Sequence, residues 1–299
     1  MALNIQRGMK WMPTKGLLYG VPGIGKTSLA AAFPSPVFLD TERGTSSLDV
    51  ARIEITSWDE LRQAIAELGS TRHEFKTVVI DSIDWAEEML GQAICKEHGK
   101  ASLQDFGYGK EAVYLREGIA KLTSACNGLI GAGMHVVFIA HAKIEKVSLP
   151  DLTDSYDRYT INLSKHVTPK IKEWCDVMLF CNYKTQTVEG KDKKTKAVGG
   201  KRRVMYAECS AAWDAKNRYG LDAELPMAIE SLAPIFAEPA KRPGWRDRVS
   251  AATTVEELGR IGDDADQAVS DGKLTPDQRK QLDALIEIRD AEIGTEVTA

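Results

Sequence analysis

Gly20-Val21-Pro22-Gly23-Ile24-Gly25-Lys26-Thr27 decides how this chain is read. The spacing G-x-x-x-x-G-K-[ST] is that of a Walker A phosphate loop. Its flanks are the ones such a loop needs. Upstream, Gly16-Leu17-Leu18-Tyr19 predicts a buried strand; downstream, Ser28-Leu29-Ala30-Ala31-Ala32-Phe33 predicts a helix that stops at Pro34. A strand, a glycine turn and a helix start aim backbone N–H groups at one point, where the helix dipole also favours an anion. Gly20, Val21, Pro22, Gly23, Ile24, Gly25, Lys26, Thr27 and Ser28 are therefore the candidate cradle for ATP. Lys26 can reach the β- and γ-phosphates, and the Thr27 hydroxyl can ligate Mg²⁺.

A chain of 299 residues has room for one large or two modest domains. Its formal net charge of −4 excludes a uniformly basic nucleic-acid coat but allows a local basic patch. The five cysteines (Cys95, Cys126, Cys175, Cys181, Cys209) form no C-x-x-C pair and read as reduced thiols. No stretch approaches ~18 consecutive apolar residues and the N-terminus has no apolar leader. A cytoplasmic protein with no membrane contact is expected.

Working outward from the loop, apolar runs alternate with helical patterns. Val37-Phe38-Leu39-Asp40 precedes a helix over Trp58 to Leu68, and Thr77-Val78-Val79-Ile80-Asp81 precedes one over Trp85 to Glu97. A helix over Glu111 to Ile130 leads to the run His135–Ala140. Continuous apolar strands between helices predict an α/β fold with a mainly parallel sheet covered on both faces. Ligands are then expected at the carboxyl ends of the strands. Residues 142 to 170 read as a long polar loop, Trp174 to Cys181 as a further strand, and 183 to 207 as a hairpin pairing Tyr183–Val188 with Arg203–Ala207. After Pro239 the composition shifts to helices broken at Thr253-Thr254 and at Asp271-Gly272-Lys273, with Thr275-Pro276 opening the last. Residues 256–299 hold twelve acidic and five basic side chains, a net of −7. The expected organisation is a core over 1–238 and an acidic helical region over 239–299.

A phosphate loop becomes a hydrolase only with further groups. Positioning Mg²⁺ needs a carboxylate at the end of an apolar strand, which Asp81 supplies as a Walker B element. Activating water needs a second carboxylate, and Glu42 in Asp40-Thr41-Glu42-Arg43-Gly44 is the candidate. A glutamate on the strand after the phosphate-loop helix, followed by the Asp81 strand, resembles the RecA-like ATPases. Ser82 follows Asp81, so the adjacent Asp-Glu pair of AAA+ proteins is absent. Within the same resemblance, His141 takes the place of a polar γ-phosphate sensor. The stretches 99–110 and 142–170 take the places of two DNA-binding loops. Lys216-Asn217-Arg218 looks like the Lys-x-Arg element whose cations reach a neighbouring subunit's phosphates. The resemblance covers roughly residues 14 to 236 and is closest to phage-type nucleotide-binding proteins, including single-strand annealing ATPases. It implies ATP and Mg²⁺ as cofactors, a homo-oligomer, single-stranded DNA as partner, and a bacterial host cytoplasm as setting. A RecA-type N-terminal oligomerisation segment is not recognisable.

From Asn182 to Tyr206 there are eight Lys/Arg (Lys184, Lys191, Lys193, Lys194, Lys196, Lys201, Arg202, Arg203) against Glu189 and Asp192, a net of +6. Such a hairpin is a candidate electrostatic footprint for a phosphate backbone. Tyr183, Tyr206, Phe106, Tyr108, Tyr156 and Tyr159 are candidate platforms for unpaired bases. The acidic C-terminal helices are expected to bind a protein partner or gate the basic surface. The function expected is a DNA-stimulated ATPase of recombination or replication. Two alternatives are a hexameric helicase or loader motor, and a nucleotide-switched binding protein with little turnover.

Overall fold

A computed structural model describes residues 11–148, 154–189, 195–237, 245–270 and 274–296. Two compact units divide the chain, residues 1–236 and 237–299.

In the first unit, β1 (Lys15–Gly20), β2 (Pro36–Asp40), β3 (Ala51–Glu54), β4 (Thr77–Asp81), β5 (His135–Val147) and β7 (Val177–Glu189) carry the sheet. Between them run α1 (Lys26–Ala30), α2 (Trp58–Ser70), α3 (Ile83–Glu97), α4 (Lys110–Gly131), β6 (Tyr156–Ile161) and α5 (Thr168–Trp174). Three further strands follow, β8 (Thr195–Tyr206), β9 (Lys216–Asn217) and β10 (Glu224–Pro226), and then α6 (Ala233–Phe236). The strand order is β10-β8-β7-β1-β5-β4-β2-β3, with β6 on β5 and β9 on β7. β7, β1, β5, β4, β2 and β3 are parallel, whereas β8 and β10 add an antiparallel edge. This is the mainly parallel α/β core of a P-loop NTPase.

Successive strand residues point to opposite faces, and both faces are buried. Leu17, Tyr19, Val78, Ile80, Val136 and Phe138 pack with α2, α3, α4 and α5. Leu18, Phe38, Val79, Val137 and Ile139 pack under α1 and residues 229–236. Because β1 lies between β5 and β7, its carboxyl end opens at the middle of the sheet's upper edge.

Three expectations are corrected. The helix after the phosphate loop closes at Ala30 rather than Phe33, since Ala32 and Phe33 bond as turns to Leu29 and Ala30. The stretch 142 to 170 is not one long loop. β5 continues to Val147 and pairs antiparallel with β6, from Ala142↔Ile161 to Val147↔Tyr156, and α5 begins at Thr168. Trp174 ends α5, so the next strand starts at Val177. The β7–β8 hairpin pairs Tyr183 with Arg203 and runs out to Glu189↔Thr195. Lys191, Asp192, Lys193 and Lys194 lie outside the described residues, as do Pro239 and Asp271–Lys273.

The second unit contains α7 (Trp245–Ala251), α8 (Val255–Ser270) and α9 (Pro276–Glu296). Val249, Leu258, Ile261, Ala265, Leu282 and Ile293 give it a small core of its own. No helix among the described residues is long and apolar enough to cross a membrane.

Candidate functional site

β1 ends against β7 so closely that a Cβ at Gly20 would run into the carbonyl oxygen of Cys181. Glycine is required there for close backbone approach. The loop then turns through Gly23 (φ 72°) and Gly25 (φ 102°), both in the left-handed region. Leu29 is the first residue whose amide donates back, to Gly25 O at 3.0 Å. The amides of Lys26, Thr27 and Ser28 thus face outward, as helix starts leave them. Lys26 is buried, and its Nζ donates to Gly20 O and Val21 O, each at 3.1 Å. Burial pulls its ammonium below the ordinary range, against the opposing pull of Cys181, Asp81, Asp84 and Glu42.

Asp81 ends β4 and is buried. Thr27 Oγ1 donates to Asp81 Oδ2 at 2.7 Å, and Asp81 Oδ1 is buried with no hydrogen-bond partner among the described residues. Burial pushes this carboxyl up to about 6, against the Thr27 hydrogen bond. A hydroxyl touching a carboxylate whose second oxygen is unpartnered is a hard-oxygen donor set, and it suits Mg²⁺. Thr27 and Asp81 are therefore the residues that fit the metal.

Glu42 is held two residues beyond β2 by a turn that Asp40 templates. The buried Asp40 carboxylate accepts from Gly44 N (3.1 Å), Thr45 N (3.0 Å) and Thr45 Oγ1 (2.5 Å). Asp40 pairs with Asp81 across the parallel strands, and Thr41 ties the two strand ends together. Thr41 N donates to Asp81 O (2.8 Å), Thr41 Oγ1 donates to Ser82 O (2.9 Å), and Ser82 N donates to Thr41 Oγ1 (2.7 Å). The Asp81–Ser82 peptide is cis. Burial raises the Glu42 pKa, and His141 opposes that rise.

His141 sits where β5 leaves the sheet, beside Gly20 of β1. Its Nδ1 is 2.7 Å from Asp84 Oδ2, its amide donates to Asp84 Oδ1 (3.2 Å), and its Nε2 is 3.9 Å from Glu42 Oε2. The hydrogen bond with Asp84 raises the imidazole pKa although burial works the other way. Burial alone would raise Asp84, yet the hydrogen bond and charge of His141 bring it below the usual carboxylate range. Asp84, His141 and Glu42 thus form a continuous polar line that turns Nε2 toward Glu42.

Lys216 and Arg218 are elsewhere. β9 pairs with Val177 and Met178, the start of β7, while the phosphate loop lies at the other end, where Gly20 pairs with Cys181. Lys216 Nζ donates to Lys172 O (3.0 Å) and Glu173 O (3.2 Å) in the last turn of α5, and Arg218 pairs with Asp176 at 2.7 Å. Within one chain these cations do not meet the phosphate loop.

Of the aromatic candidates, Phe106 is buried against His98 and Tyr114, Tyr159 packs on Phe180, and Tyr206 stacks on Trp213 at 4.2 Å. Phe106 is a core residue, whereas Tyr159 and Tyr206 are half-buried and packed against the core. Tyr108 is fully exposed and Tyr183 is 40% exposed. In the basic hairpin, Lys184 pairs with Glu224 at 2.6 Å, whereas Lys201 and Arg202 are exposed.

Three residues of the site carry no clear mark in the sequence. Asp40 looks like the end of a strand, Asp84 like an acidic first turn of a helix, and Arg203 like one member of a basic run. Arg203 in fact reaches the phosphate loop, with Nη1 donating to Ile24 O at 3.3 Å.

Comparison with known proteins agrees with this geometry. A family model described as AAA domain matches residues 12–219, from just before β1 to just past β9. The chain is also similar to the SPbeta prophage-derived uncharacterized protein YorG of Bacillus subtilis (strain 168). The two are 27% identical over 274 residues, which cover 86% of this chain and 78% of that one. The matched span includes the phosphate loop, Glu42, Asp81 and His141, and the chain belongs to the AAA domain family, with an AAA-type ATPase domain.

Proposed function

We propose that this chain is a Mg²⁺-dependent, RecA-like ATPase acting on single-stranded DNA in phage-type recombination or replication, by strand annealing or a related transaction. The observation that carries the reading is the convergence of Lys26, Thr27, Asp81, Glu42 and His141 at one carboxyl edge. Glu42 reaches it from the end of β2 rather than from the position after Asp81, the arrangement of the RecA-like class. Similarity to a prophage-derived protein supports the phage setting. The β7–β8 hairpin, with Lys201 and Arg202 exposed, rises from the same edge and supports a nucleic-acid partner.

In this reading the loop amides and Lys26 bind the β- and γ-phosphates. Thr27 and Asp81 hold Mg²⁺, which when bound supplies positive charge to the phosphate oxygens. Glu42 accepts the proton of the attacking water, its basicity raised by burial. His141, fixed by Asp84, orients Glu42 and senses the terminal phosphate beside it. Lys216 and Arg218 act in trans, on the site of a second copy in a homo-oligomer. That role requires Arg218 to exchange Asp176 for a phosphate.

The test is ATP hydrolysis with Mg²⁺, with and without single-stranded DNA, across protein concentration, with Lys26→Ala as blank. DNA stimulation with a steep concentration dependence is expected. Turnover that ignores both DNA and protein concentration would overturn the DNA and oligomer parts. The independent core of the acidic second unit favours one other reading, a nucleotide-switched binder that recruits a partner through residues 245–296. Turnover no higher than the blank, with nucleotide binding intact, would favour it.

A further inference from the structure

Arg203 differs from the cations around it in reaching the phosphate loop. Lys184, one residue along from its pairing partner Tyr183, is neutralised by Glu224, and Arg218 by Asp176. Among the described residues the Arg203 side chain has no carboxylate, and its one polar contact is the Ile24 carbonyl. The guanidinium lies over the loop itself, where a Cβ on Gly25 would come within 2.6 Å of Nη1. A guanidinium has five N–H donors in a planar fork, so most remain open above the last glycine before Lys26.

The strand order says which end of a nucleotide they face. β5, β4 and β2, which carry or lead to His141, Asp81 and Glu42, lie on one side of β1, while β7 and β8 lie on the other. A triphosphate with its terminal phosphoryl group at Glu42 and His141 crosses the loop toward β7 and β8. Its α-phosphate and ribose then arrive beside Arg203. We infer that Arg203 is a cis-acting binding residue for the α-phosphate of a nucleoside di- or triphosphate, contacting the end of the ligand that survives hydrolysis. This rests on the reading of Gly20–Thr27 as a nucleotide site. Because Arg203 belongs to β8, its contact makes the basic hairpin respond to any bound nucleotide, ATP and ADP alike, whereas His141 responds to the terminal phosphate.

The experiment is equilibrium binding of ATP, ADP and the two α-thio diastereomers of ADP to the full chain, using wild type, Arg203→Ala and Arg203→Lys. A charge-assisted hydrogen bond of about 1.5–3 kcal/mol corresponds to a loss of about ten- to hundredfold. Arg203→Ala is expected to weaken ATP and ADP by the same factor in that range, with Arg203→Lys in between. Wild type is expected to prefer one α-thio diastereomer, and Arg203→Ala to bind the two equally. An arginine that merely props the Ile24 carbonyl would leave the diastereomer preference intact, and that result would overturn the inference. So would a loss confined to ATP, or affinities that do not change at all. If Arg203→Ala fails to fold, the diastereomer preference is read on Arg203→Lys, where it must shrink. Failure of wild type to bind ADP or ATP would overturn the nucleotide reading itself, an outcome distinct from these.

Discussion

The two ends of the sheet hold similar residues in opposite states. At the amino end, Arg218 pairs with Asp176, and Lys216 donates to the last carbonyls of α5. At the carboxyl end, charge is out of balance. Among the described residues Asp81 keeps one buried oxygen unpartnered and Arg203 has no acid, and burial raises Glu42 and Asp81. Structural ion pairs neutralise themselves, whereas a site keeps groups whose partner arrives from outside. A charged side chain's meaning therefore comes from its partner more than from its type.

The largest effect that could break this contrast lies at the carboxyl end. Lys26→Ala is expected to reduce ATP hydrolysis to background while the fold is retained, checked by turnover alongside circular dichroism. Next is the amino end's claim to catalysis. If Arg218 serves a second copy, Arg218→Ala should lower kcat at saturating protein by about 10³–10⁵, the range for an arginine finger. Full activity at saturating protein would leave the amino end purely structural and make the contrast complete. Glu42→Gln should lower kcat by about 10²–10⁴ with ATP binding retained, as loss of a general base does; single-turnover kinetics separates the two.

A smaller effect concerns Asp84. Asp84→Asn removes a charge-assisted hydrogen bond and should cost about 1.5–3 kcal/mol in urea denaturation. The pH dependence sharpens this. His141 has a folded pKa raised above its unfolded value, so its contribution is complete below about 6.5 and is lost as pH rises through the folded value. Asp84 is shifted down, so its contribution is complete above the unfolded carboxylate value and is lost as pH falls through the lower folded one. Wild type should therefore lose stability relative to Asp84→Asn as pH is raised from 6 toward 9. Parallel curves over that window would mean that His141 is not held by Asp84 in solution.

Much of the core is legible in the sequence, because β1, β2 and β4 are buried on both faces and read as continuous apolar runs. The glycine spacing is legible for a related reason, since Gly20, Gly23 and Gly25 occupy positions a side chain would block or strain. β6 and the outer half of β5 are hidden. Lys143-Ile144-Glu145-Lys146 extends past the sheet, Ile144 is 61% exposed, and such a strand needs no apolar face. The site divides in the same way. Lys26, Thr27 and Asp81 follow from local spacing, whereas Asp84 meets His141 from 57 positions away and Arg203 meets Ile24 from 179. Phe106 misleads for the converse reason. Its neighbours in sequence are polar, while its neighbours in space include His98 and Tyr114.

Lys26 carries a consequence for selectivity. Its ammonium is already tethered to the carbonyls of Gly20 and Val21, so ligand entry is a swap in which two neutral acceptors are replaced by charged oxygens. Phosphate oxygens would offer the ammonium a negative charge that the two carbonyls do not. An uncharged nucleoside offers nothing to win that exchange, and the lysine then works as an internal competitor that rejects it.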